Sequence, residues 1–198
     1  MSKGYSVNWR SVNNKVGRSP KIKNKMDHSA RKRFDLAKSK ALEDFDQHLV
    51  TKELRGGPGA NNVSDTLGGY GNLFTFMGFA AGETPTEAVK NFLRASIRLR
   101  CGKPASRGSK INVNYSVKFP ALEDFDFAKM PWESGRNWVQ AIERGVSGFG
   151  YYMAKATEAS RSGAAIQIDG KLRSKGSSAG TKYMSEILLN FMKRIKRK

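Results

Sequence analysis

The chain has 198 residues, 38% of them hydrophobic and 10% aromatic, which is enough for one hydrophobic core and too apolar for wholesale disorder. Its net charge of +19 is extreme, and its single cysteine, Cys101, excludes an intramolecular disulfide or a cysteine-rich metal site. No 18 apolar residues run together and residues 1–5 begin no signal-peptide stretch, so the sequence points to a reducing cytoplasm and to no membrane partner.

The charge is segregated along the chain. Residues 1–33 hold ten Lys or Arg against Asp27 alone, and residues 171–198 hold nine against Glu186 alone. Residues 34–170 are nearly balanced, with 17 bases and 15 acids. Basic ends of this kind seek something acidic, or else act only as solvated tails that keep the protein soluble.

In chain order, residues 1–26 read as an extended basic arm in which Lys and Arg alternate with Asn, Ser, Gly and Pro. Tyr5, Val7 and Trp9 at alternate positions suggest a strand-like piece, docked on a neighbour or folded back on its own domain. Residues 27–198 read as a single α+β domain. Asp27 can cap a helix over 28–55, with Phe34, Ala41, Phe45 and Leu49 on one face. Gly56-Gly57-Pro58-Gly59 ends it. Residues 73–79, apolar on both faces, predict a buried strand. Thr84, Pro85 and Glu87 predict a helix start with a capping box. Residues 97–101 fit helix or strand, 102–109 a basic loop, and the alternation of Ile111, Val113, Tyr115, Val117 and Phe119 a half-buried strand. An irregular stretch follows, anchored by Phe125, Phe127, Met130 and Trp132, then a short amphipathic helix from Trp138. Asp169-Gly170 predicts a hairpin turn between 165–168 and 171–173. Tyr183, Ile187, Leu188, Phe191 and Ile195 line a C-terminal helix from about residue 181.

Catalytic chemistry finds little support. The loop at Gly68-Gly69-Tyr70-Gly71-Asn72 lacks the Gly-Lys-Ser/Thr ending of a phosphate-binding loop and leads into a predicted strand. His28 and His48 stand about 30 Å apart if one helix carries both, too far to share a metal. The groups Glu43/Asp44/Asp46 and Glu123/Asp124/Asp126 read as solvated acids, and Cys101 has basic neighbours and no base placed to activate it. No catalytic residue, metal or cofactor is expected.

Several stretches together resemble tailed-bacteriophage virion proteins that act where head meets tail, of the neck, tail-completion or tail-terminator type. They are Gly68-Gly69-Tyr70-Gly71-Asn72-Leu73-Phe74 with Phe76 and Gly78-Phe79, then Pro131-Trp132 with Gly135-Arg136 and Trp138-Val139. Glu143-Arg144-Gly145-Val146-Ser147-Gly148 and Ser160-Arg161-Ser162-Gly163 continue the pattern. The resemblance implies a small, mostly antiparallel sheet flanked by helices, with an extended basic N-terminal arm and a C-terminal amphipathic helix. It also implies a non-enzymatic subunit of a homo-oligomeric ring in the virion, assembled in the bacterial cytoplasm. Its partners would be connector, portal or tail-tube proteins, with DNA passing through the channel.

Candidate partner-binding residues are Tyr5, Trp9, Arg10, Lys21, Lys23 and Lys25 in the arm, Tyr70 in the glycine loop, and Lys193, Arg194, Lys196, Arg197 and Lys198 at the C-terminus. The competing expectation is a basic nucleic-acid-binding protein for DNA packaging or RNA association, on the recipe of cations with interleaved aromatics.

Overall fold

The computed structural model describes residues 7–17, 19–67, 71–107, 110–131, 133–143, 152–154, 166–168 and 182–196. The fold is α+β. Helices α1 (Trp9–Gly17), α2 (Pro20–Gln47), α3 (Leu49–Arg55), α4 (Leu73–Phe76) and α5 (Pro85–Ser96) lead into strands β1 (Arg98–Arg107) and β2 (Lys110–Lys118). Strands β3 (Lys129–Met130) and β4 (Glu133–Asn137), helix α6 (Trp138–Glu143), strands β5 (Tyr152–Ala154) and β6 (Ile166–Ile168) and helix α7 (Met184–Lys196) follow. The strands pair antiparallel as β1–β2, β3–β4 and β5–β6.

The expected extended arm is helical over most of its described length. Asn8 accepts the Ser11 N–H at 3.1 Å and so starts α1, while Pro20 presets the first turn of α2. Asp27 is therefore inside α2 and not its cap. At 28 residues α2 is about 42 Å long. Its buried side chains are Phe34, Ala37, Ala41 and Phe45, so its first half stands clear of the core.

The helix also ends earlier than expected, at His48, whose ψ of 137° breaks the ladder. His48 Nδ1 accepts the Val50 N–H at 3.2 Å, capping α3. The proton must then sit on Nε2, which donates to the Lys182 carbonyl at 3.2 Å.

Residues 73–79 form no strand. Asn72 Oδ1 accepts the Thr75 N–H at 2.8 Å and turns the chain into α4, while its Nδ2 donates to the Pro58 carbonyl at 2.6 Å. The buried Glu53 carboxylate accepts from Leu73 N at 2.6 Å and Ser64 N at 2.9 Å, clasping both ends of the glycine-rich loop. Helix α5 begins at Pro85 as expected, without the capping box. Glu87 reaches Arg55 instead, at 3.0 Å.

Residues 98–107, divided beforehand between an undecided piece and a loop, form one strand paired along β2. Phe125 and Met130 are buried as expected, but Phe127 is 44% exposed. Residues 166–168 are a strand, yet their partner is Tyr152–Ala154; 169–173 and Trp132 lie outside the described residues.

The core gathers around Tyr183, just ahead of α7. Its ring lies 5.9 Å from Phe45, 4.8 Å from His48 and 6.4 Å from Trp138, and its hydroxyl meets Thr51 Oγ1 at 2.8 Å. Glu143, closing α6, accepts from the Tyr183 and Ser185 N–H groups at 3.0 and 3.2 Å and from the Ser185 hydroxyl. A carboxylate at that helix start also suits the helix dipole. Phe191 packs edge-on against Phe34, 6.2 Å away.

Two expectations follow. Tyr183→Phe leaves the buried Thr51 hydroxyl without this partner and should destabilise the fold by about 1–2 kcal/mol, read as a lower urea midpoint at unchanged m-value. Burial holds the His48 imidazole below its ordinary range, against the opposing pull of the Lys182 carbonyl, Glu186 and Glu143. The unfolded chain therefore binds more protons just below its own value of about 6.5, and stability there rises with pH. The contribution of His48 is complete above that value and is lost as pH falls. The thermal midpoint should drop between pH 7.5 and 5.5, and His48→Asn, which keeps a capping oxygen, should flatten the drop. An unchanged slope in the variant would refute the assignment.

Candidate nucleic-acid interface

Helix α1, the projecting half of α2 and the β1–β2 ribbon pack on one another at one end of the molecule. Residues 9–33 carry nine Lys or Arg and residues 98–118 six, with one acid, Asp27, between the two segments. That acid is engaged: the Tyr115 hydroxyl donates to Asp27 Oδ1 at 3.1 Å, pinning the ribbon to α2. The balanced middle of the chain was thus a sum of unlike parts. Without the six ribbon cations, its 17 bases fall to 11 against 15 acids.

The ribbon sorts its residues by the strand period of two. Val113, Tyr115 and Val117 on β2 and Leu99 on β1 are half-buried. Asn112, Asn114, Ser116 and Lys118 alternate with them and are exposed, as are Arg98, Arg100, Lys103 and Ala105 on β1. The register slips between Cys101 and Pro104. A Cβ at Gly102 would meet the Asn114 carbonyl oxygen at 2.5 Å, so only glycine allows the strands to approach this closely. The slip puts Lys103 and Ala105 on the exposed side with Arg98 and Arg100.

Arg98 and Lys118 stand directly opposite each other, a like-charge pair that disfavours the sheet. The basic surface continues past the ribbon's base. Lys38 Nζ donates to the Ile97 carbonyl at 3.0 Å and Arg98 Nε to the Ala95 carbonyl at 2.8 Å, satisfying the end of α5. Burial lowers the Lys38 ammonium, Asp35 opposes that, and Arg94 and Arg98 push it lower still.

Of the residues singled out from sequence, Trp9, Arg10, Lys21, Lys23 and Lys25 fall in this basic end and are exposed, Trp9 by 62%. The C-terminal group lies on α7, packed against α2. There Arg194 forms a two-pronged ion pair with Asp44 and so is committed within the chain, while Lys193 and Lys196 are exposed. Tyr5, Tyr70, Arg197 and Lys198 lie outside the described residues.

The ribbon's own cations were missed, along with Asn112 and Asn114. The outward half of the 111–119 alternation was visible, but reading 102–109 as a loop hid the partner strand.

Other candidate chemistry resolves into structural contacts. Helix α4 does follow the glycine loop, contrary to expectation, but its first N–H groups are taken by Glu53 and Asn72. The acids at 43–46 are paired rather than simply solvated. Glu43 meets Lys40 at 2.7 Å, and Asp46 meets Lys90 at 2.7 Å and Arg55 at 2.8 Å. Burial raises Asp46, and the bonds from Lys90 and Arg55 outweigh it, holding the carboxyl below its usual range. Among the described residues, no three His, Cys, Asp or Glu side chains gather around a possible cation position, and no helix is long and apolar enough to cross a membrane.

No protein-family model, curated protein or solved structure matches the chain.

Proposed function

We propose that this protein binds nucleic acid through its basic end, without catalysing a reaction. The observation that carries this reading is the meeting of α1, the first half of α2 and the ribbon in one surface, with twelve exposed cations among the described side chains of residues 9–33 and 98–118 and a single acid in those segments. Phosphate neutralisation by such a surface releases counterions, so log affinity should fall linearly with log salt, by roughly one unit per phosphate contacted. Replacing Arg10, Lys21, Lys23 and Lys25 with Gln should reduce that slope. Replacing Lys193 and Lys196 should leave it largely unchanged. A wild-type slope near zero would reject the reading.

A second reading places the same surface inside a virion. The protein would then be a ring-forming structural subunit at a tailed-phage head–tail junction. It would contact connector, portal or tail-tube proteins, with its cations facing the DNA. The resemblance carried by Gly68–Phe74 and Trp138-Val139 suggests it, and one structural observation favours it. Trp9, Val12 and Val16 recur at helical spacing on α1 and are exposed, an apolar row suited to a protein neighbour. Sedimentation of the purified chain after nuclease and high-salt treatment tests it: a closed oligomer is expected, and a monomer at every concentration would count against the ring.

A further inference from the structure

We infer that the preferred ligand of the basic end is double-stranded B-form DNA, with the outer face of the β1–β2 ribbon seated in the major groove. The inference rests on the nucleic-acid reading above and narrows it to one class of ligand. A two-stranded ribbon matches a groove about 12 Å wide. Ten residues in β1 reach about 33 Å, close to one helical turn of DNA.

The order of residues on that face matters more than its size. Its β2 side is small and uncharged from Asn112 through Asn114 to Ser116, with Ala105 opposite Asn112. Its β1 side carries the cations Arg98, Arg100 and, within the slip, Lys103, and Lys118 stands opposite Arg98 at the base. Small side chains along β2 allow that strand's backbone to approach base edges, where Asn can pair with the N6 and N7 positions of adenine and the methyl group of Ala105 can touch thymine. The cations along β1 then reach the phosphates on one side of the groove. Phosphate between Arg98 and Lys118 would also relieve their mutual repulsion, for which the ribbon sequence supplies no acid. Duplex RNA has a deep, narrow major groove that closes to a ribbon, and a single strand offers no groove. Both would meet the cations alone.

The test uses the full-length chain with a duplex DNA, a duplex RNA and a single-stranded DNA of matched length and sequence, at one salt concentration. Duplex DNA should bind at least about tenfold more tightly than either alternative, the range expected when good base-edge contacts are gained. Guanine N7 atoms, which lie in the major groove, should be protected from dimethyl sulfate across about one turn. Asn112→Ala with Asn114→Ala should lower duplex DNA affinity about tenfold and keep the salt slope, whereas Arg100→Gln with Lys103→Gln should reduce the slope. Circular dichroism confirms that each variant folds, and the footprint needs no variant. Equal affinity for the three nucleic acids, or unprotected N7 atoms on a bound duplex, overturns the inference and leaves general nucleic-acid binding standing. Absence of binding to all three at low salt overturns both.

Discussion

The core of this molecule depends on one aromatic residue placed where four helices converge. Tyr183 meets Phe45 at the end of α2, His48 at the break, Thr51 in α3 and Trp138 in α6, and it delivers the chain into α7. Each contact is short in space and long in sequence, the hydroxyl bond to Thr51 spanning 132 positions. A ring that fills a pocket and also satisfies its own polar tip closes the core without leaving an orphaned group. The acids support the same closure. Glu143 holds the start of α7, and Glu53 holds the two ends of the glycine-rich loop, so carboxylates that look like surface charge in the sequence serve as anchors for backbone N–H groups.

The molecule consequently divides its labour by position along α2. From Phe34 onward the helix buries apolar side chains, and before Phe34 it carries cations beside a ribbon of further cations. Mutual repulsion among those cations falls mainly on the projecting end. Screening shortens its reach to about 8–10 Å at ordinary ionic strength, so the core beyond it is largely spared. Charge of this density would strain a core built around it, but here it acts on a peripheral unit.

Sequence periodicity located the parts that are governed by burial. The faces of α2 and α7, the start of α5 at Pro85 and the alternation of β2 follow from apolar spacing and proline geometry alone. It failed where polar side chains at long range decide the backbone. Residues 73–79 have the composition of a buried strand, yet Asn72 and a carboxylate 20 positions away fold them into a turn of helix. The capping role of His48 left no trace in the sequence, because it needs Lys182 beside it. The basic surface was half visible. The arm's cations stood out by local density, whereas those of the ribbon were averaged into a neutral middle, and only the antiparallel register brings them beside the arm.

The pin between Tyr115 and Asp27 has a further consequence. The unit it holds together has little buried apolar surface of its own and one internal counter-charge. Its order therefore depends on the medium: dilute salt favours separation of its three pieces, and on the reading proposed above an anionic ligand that bridges them would add its attraction to that of the pin. Under mass action such a ligand contributes to stability in proportion to the logarithm of its concentration over its dissociation constant. If that reading holds, folding of this end and its loading with a polyanion become a single equilibrium, in which the ligand serves as a missing piece of the scaffold.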